Sequence, residues 1–143
     1  MSKVTWKGSV LLAPLPAVLV SCGSAEKPNI ITIGWTGVIC SKPPITYISV
    51  RPERYSYELI RSSGEFVINI PSSSMARKVD FCGIYTGAKV DKFARCNFTP
   101  QESVSVSCPG IAEAPLSLEC RVREIKEFGE DAKPRICRMF PLQ

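Results

Sequence analysis

The strongest pattern along the chain is a period-two alternation of apolar and polar residues. Between Asn29 and Trp35, the side chains of Ile31, Ile33 and Trp35 fall on one face and Ile30, Thr32 and Gly34 on the other. That is the signature of an extended strand, whose successive side chains point to opposite faces. Glu65 to Ile70 places Phe66, Ile68 and Ile70 together and stops at Pro71. Ser103 to Cys108 sets Val104, Val106 and Cys108 against Ser103, Ser105 and Ser107, and Leu116 to Arg123 repeats the pattern with Leu116, Leu118, Cys120 and Val122. Shorter β-rich runs are Ala17 to Val20 and Ile45 to Val50, the second entered through Pro43-Pro44. Half-polar alternation predicts antiparallel strands with one solvated face, and it excludes a doubly wound parallel sheet. Helices are predicted to be short. Pro52 suits the first turn of a helix through Tyr55, Leu59 and Ile60, with Gly64 as its stop. A second short helix is predicted over Ser72 to Val79. Without repeats, low-complexity tracts or linkers, residues 1–143 read as a single mainly β domain, a small antiparallel barrel.

The N-terminal apolar stretch Val10 to Val20 changes this picture little. Leu19-Val20-Ser21-Cys22 resembles a lipoprotein cleavage box, but Pro14 and Pro16 interrupt the stretch, which a signal helix tolerates badly. A first barrel strand is the expectation there. No segment approaches the roughly 20 apolar residues of a membrane-spanning helix, so no membrane is expected.

Composition narrows the chemistry. The chain is 45% hydrophobic and 22% charged with a net charge of +5, which suits an anionic ligand but falls short of a nucleic-acid footprint. There is no histidine, so a His-based triad, His metal ligation and imidazole acid–base catalysis are excluded within this chain. The seven cysteines are odd in number and contain no C-x-x-C pair. That spacing fits no zinc or iron–sulfur site, and reduced thiols in a cytoplasm are the expectation. No metal is expected. Gly83 to Lys89 superficially resembles a phosphate loop but lacks the Gly-Lys-Ser/Thr ending.

Several segments carry a resemblance to a known family. They are Pro14 to Val20; Asn29-Ile-Ile-Thr-Ile-Gly-Trp-Thr-Gly-Val38; Pro43-Pro44; Val50-Arg-Pro-Glu-Arg-Tyr-Ser-Tyr-Glu-Leu-Ile60; Gly64 to Pro71; Cys82 to Phe93; and Ala114 to Cys120. In that order and spacing, over about residues 8–128, the chain resembles the flavin reductase-like FMN-binding family, in its flavoredoxin branch. The resemblance implies an FMN-binding split β-barrel of Greek-key type, usually a homodimer, with FMN near the subunit interface. It also implies that the flavin takes a hydride or electrons from NAD(P)H or a redox protein and passes them on. A non-catalytic FMN carrier and an inactive truncated member are the alternatives.

The resemblance points to Asn29, Thr32, Trp35, Thr36, Arg51 and Ser56 as cofactor-binding residues, with Tyr55 and Lys92 as further candidates. Their chemistry suits the part, because an FMN phosphate needs fixed donors such as Arg, hydroxyls and a helix N-terminus. Arg51 precedes Pro52 and so stands at the mouth of the predicted helix, with Ser56 in its first turns. Gly34 and Gly37 would let the backbone approach a flat ring. Each has a plainer reading: Thr32 as a β-former, Trp35 as core, Arg51 as a partner of Glu53, Tyr55 packed on Leu59 and Lys92 as a surface charge. Cys82 reads either as a redox thiol or as a buried spectator, and no catalytic side chain is assigned. Beyond Gly129 the match ends. Lys133, Pro134, Arg135 and Pro141 suit neither a central strand nor a dimer-forming helix. The expectation is therefore a barrel without its C-terminal strands, open beside Leu116 to Arg123, with residues 130–143 poorly ordered.

Overall fold

A computed structural model describes residues 2–5, 7–8 and 12–128 in full and residues 132–141 as main chain. The predicted strands appear as β1 (Val18–Gly23), β2 (Pro28–Ile33), β4 (Pro44–Val50), β5 (Glu65–Ile70) and β8 (Leu116–Phe128), with β3 (Thr36–Ser41) between β2 and β4. Helix α1 (Tyr55–Ser63) follows β4. A 3-10 turn over Ser73–Met75 leads into α2 (Ala76–Ile84), and α3 (Lys92–Cys96) comes next. The short strands β6 (Pro100–Gln101) and β7 (Gly110–Ile111) pair with each other, and β9 (Ala132–Pro141) closes the chain. Among the described residues, no helix is long and apolar enough to cross a membrane.

Seven strands form one antiparallel sheet in the order β2-β1-β5-β8-β9-β4-β3. The two ends of this order are consecutive in sequence, joined through Gly34 and Trp35. The Ser49 amide donates to the Trp35 carbonyl at 2.8 Å, so the sheet curls until its ends nearly meet. This is the split barrel, mainly β and antiparallel.

The inner core gathers Val18, Val20, Ile31, Ile33, Ile48, Phe66, Ile68 and Cys120, together with Tyr57 and Ile60 of α1. Contrary to the expectation of one solvated face, β1 and most of β5 are buried on both sides. Leu19 and Ile30 turn outward into a second cluster with Met75, Cys82, Phe93, Cys96 and Ile111. Helices α2 and α3 therefore form an outer layer over β1 and β2. Cys22, the residue a lipoprotein box would modify, lies fully buried in β1.

Three expectations are corrected. The tail is a strand: β9 pairs with β8 on one side and β4 on the other. Its prolines escape the usual penalty because both lie outside the doubly paired stretch. Pro134 falls in the register shift between Glu127–Arg135 and Phe128–Ala132, and Pro141 pairs only at the end of the β8 ladder. A proline there forfeits no central hydrogen bond. Next, 103–108 is a loop despite its alternation. The Glu119 carboxylate accepts the amides of Val104 (2.8 Å) and Ser105 (2.6 Å), and Glu65 accepts that of Ser107 (2.8 Å). With these donors satisfied by carboxylates, the segment needs no partner strand. Lastly, α1 begins at Tyr55 with Arg54 at its N-cap, while Arg51 to Arg54 forms a preceding turn closed by the Arg54 amide on the Arg51 carbonyl at 3.0 Å. Gly64 ends the helix as expected, in the left-handed region at φ 69°.

Candidate functional site

β2 ends the strand order, so one of its edges has no sheet partner, and unpaired edge carbonyls need other donors. One donor comes from α3. The Asp91 carboxylate caps that helix by accepting the Ala94 amide at 3.0 Å, which sets Lys92 in its first turn. The Lys92 side chain is 3% exposed, and its Nζ donates to the Ile30 carbonyl at 2.7 Å and the Cys82 carbonyl at 2.8 Å. An ammonium carries three donors, so one is left over. Burial lowers the Lys92 pKa from its ordinary value; the Cys82 and Cys22 thiols counter this, and the Arg54 charge adds to it. Among the described residues Lys92 has no ion-pair partner.

Lys92 lines a hollow of about 90 Å³ together with Glu53, Arg54, Tyr55, Ser56, Cys82 and Gly87. Ser56 and Asn29 are buried, and Asn29 Nδ2 donates to Ser56 Oγ at 2.8 Å, with a longer contact to Cys22 Sγ at 3.9 Å. Arg54, Tyr55 and Ser56 at the start of α1 line the hollow, and no side chain caps that helix, so its positive end borders this region. A buried cation without a direct ion-pair partner is costly unless an anion completes it. The hollow thus combines an ammonium, a guanidinium, a hydroxyl and a helix N-terminus, the donor set that a phosphate group requires, with Glu53 as the one acidic residue in its lining.

A groove of about 250 Å³ adjoins the hollow, sharing Ile31 and Arg54 with it. It occupies the split between β2 and the end of β4, and is lined by Thr32, Gly34, Trp35, Ser49 and Arg51 among others. Trp35 is exposed, not core, and the Arg51 guanidinium carbon stands 5.6 Å from its ring centroid. This gives a flat aromatic wall beside a fixed positive charge. At Gly34 an added Cβ would meet nothing within 4 Å, so open space lies over that backbone. Gly37 is small for another reason: a Cβ there would press on the Tyr47 ring, at 3.0 to 3.3 Å.

The structure therefore brings Thr32, Trp35 and Arg51 to the groove and Tyr55, Ser56 and Lys92 to the hollow, with Asn29 joined to Ser56. Lys92 is not the surface charge its neighbour Asp91 suggested. Thr32 faces the helical layer and donates its hydroxyl to the Val79 carbonyl. The Thr36 hydroxyl donates to the Tyr47 carbonyl at 2.7 Å, and Thr36 lines neither space. Arg54, which lines both, is not singled out by the sequence, where Pro52 suits the start of the helix and puts Arg54 inside its first turn. Gly87 is likewise not singled out. A Cβ there would strike Asn29 Oδ1 and come within 3.0 Å of the Tyr55 ring, so only glycine fits against this pair.

These features define a split-barrel protein with a donor-lined hollow beside an open groove at the barrel's seam. The same architecture recurs in known proteins. The flavin reductase-like domain matches residues 11–139, and the chain belongs to that family, in its flavoredoxin branch. The structure is similar to flavoredoxin of Desulfovibrio vulgaris (Miyazaki F), with a TM-score of 0.89 and 31% identity over 99% of this chain and 75% of that one. Flavoredoxin from Methanosarcina acetivorans gives a TM-score of 0.89 and 30% identity, covering 100% of this chain and 74% of that one. A protein of Archaeoglobus fulgidus is 34% identical over 119 residues, 83% of this chain and 67% of its own length. The family and these neighbours support a flavin-related redox function.

Proposed function

We propose that this chain binds FMN, with the phosphate in the hollow and the ring system in the groove, and relays a hydride or electrons from NAD(P)H or a protein donor to an acceptor. The observation that carries this reading is Lys92, a buried ammonium held by two carbonyls, with a donor left over and, among the described residues, no ion-pair partner within 4 Å. Bound flavin supplies the redox chemistry itself. This chain's residues bind and orient it. Lys92, Arg54, Ser56 and the start of α1 hold the dianion, with Asn29 fixing Ser56. Trp35 and Arg51 wall the ring, while the backbone at 32–34 offers amides and carbonyls along one side.

The same reading includes a homodimer and a cytoplasmic setting. β3, at the end of the strand order, exposes Val38 (80%) and Ile39 (47%), an apolar edge that favours pairing with a second copy. The six described cysteines are free thiols, which supports a reducing compartment. The test is direct. The purified protein should show a bound-flavin absorption spectrum, release FMN on denaturation, and bleach under anaerobic NADH, NADPH or a reduced redox protein. Protein titrated with FMN that shows no saturable spectral change refutes the proposal.

A further inference from the structure

The outer helical layer holds a pair of thiols that flavin binding does not require. Cys82 lies in the last turn of α2 and Cys96 at the end of α3, with their sulfurs 3.7 Å apart. Both are buried, and Cys82 also borders the hollow, so a small reagent there needs a local opening to reach its sulfur. The Cys82 carbonyl is one of the two groups that hold Lys92. A disulfide requires a separation of about 2 Å, so the two short helices must close by less than about 2 Å. The segment between them, 85–91, is largely exposed and free of regular structure, and can yield by that much.

We propose that Cys82 and Cys96 form a redox-active dithiol that hydrogen peroxide closes to a disulfide, and that closure disturbs the Cys82 carbonyl and loosens the hollow's grip on phosphate. The Cys82 thiolate attacks the peroxide O–O bond, taking one oxygen as the sulfenic acid and releasing hydroxide, which gains the proton that Cys82 gave up. The Cys96 sulfur then displaces the sulfenic oxygen, which leaves as water with the Cys96 proton. Two thiols lose two electrons and two protons, and one peroxide becomes two waters. Burial pushes the Cys82 thiol well above its ordinary pKa, the Cys96 thiol adds to this, and the Lys92 charge opposes it. Oxidation is therefore slow at neutral pH and accelerates as pH rises. The effect on phosphate rests on the FMN reading above; the disulfide does not.

The test uses the whole chain, reduced, freed of reductant and exposed to millimolar hydrogen peroxide. The expected product is lighter by two hydrogens, yields a Cys82–Cys96 cross-linked peptide, reverts with dithiothreitol, and does not form in Cys96→Ser. FMN should bind the oxidised form about tenfold more weakly, the effect of one lost charge-assisted hydrogen bond. Wild-type protein whose Cys82 and Cys96 remain alkylatable after peroxide, or cross-link elsewhere, overturns the dithiol. A cross-linked protein with unchanged FMN affinity overturns the coupling. Failure of both forms to bind FMN refutes the flavin reading, while the peptide map still decides the disulfide.

Discussion

Lys92→Met is the sharpest perturbation of the site. Methionine keeps the length and most of the volume of the side chain and deletes the charge and its donors. If the leftover donor serves a phosphate, its loss removes one charge-assisted hydrogen bond, about 1.5–3 kcal/mol, or roughly 10- to 150-fold in FMN affinity. Riboflavin carries the same ring without the phosphate and should bind both proteins alike. Stability works as a separate ledger. The variant leaves the Ile30 and Cys82 carbonyls without the ammonium, at about 1–3 kcal/mol for each buried group left unsatisfied. Against this, it removes the several kcal/mol that burying an uncompensated ion costs, so the fold should survive. Calorimetric titrations with FMN and riboflavin at one fixed ionic strength measure the difference. The pH dependence adds a second signature. Burial lowers the Lys92 pKa from 10.5, so wild-type FMN affinity should fall as pH rises through that lowered value, and Lys92→Met should lack this alkaline limb. Equal weakening of FMN and riboflavin would refute the assignment.

Other outcomes follow from the same geometry. Arg54→Ala should weaken FMN more than Arg51→Ala, because Arg54 borders both hollow and groove while Arg51 borders only the groove; the reverse order in a titration would place the phosphate elsewhere. Gly87→Ala should displace Asn29 and Tyr55, destabilise by about 1–3 kcal/mol as overpacked sites do and weaken FMN; an unchanged melting point and affinity would contradict that. The Glu65 pKa is lowered from 4.5, chiefly by the Ser107 amide, with the Ser107 hydroxyl and Arg121 assisting against the opposing effect of burial. A carboxylate with a lowered folded-state pKa contributes stability above its unfolded value and loses it as pH falls through the folded one. Protection of the Ser107 amide, read as exchange relative to its intrinsic rate, should therefore fall below about pH 4.5, and Glu65→Gln should show the lower protection already at neutral pH.

What the sequence made legible is uneven for identifiable reasons. β2, β4, β5 and β8 announce themselves because period-two alternation and flanking proline or glycine act locally. Ser103 to Cys108 has the same alternation and is a loop, because Glu65 and Glu119, distant in sequence, take its amides. The start of α1 was misplaced for a related reason: Pro52 is as compatible with position i+1 of a turn as with a first helical turn. Thr32, Trp35 and Arg51, which line the groove, and Ser56, which lines the hollow, are singled out by the resemblance. Nothing local reveals that Lys92 is buried; its place depends on Asp91 capping α3 and on α3 packing over β2.

The tail shows how the site depends on closure far from it. With β9 inserted between β8 and β4, the sheet continues around to β4, whose Ser49 amide then reaches the Trp35 carbonyl. That contact brings Ser49 and Val50 opposite β2 and so forms the second wall of the groove. Without a strand in that place β4 would have only β3 as a neighbour, and the wall carrying Arg51 would be held through the Gly34-Trp35 connection alone. The seam left between β2 and β4 is also where an unpaired strand edge and a buried cation coincide, since Lys92 reaches the hollow by satisfying the Ile30 carbonyl of that edge. The split in the barrel and the hollow are thus one feature: a sheet closed tightly enough to form the groove, yet open at β2 where a charged side chain, not another strand, completes the edge.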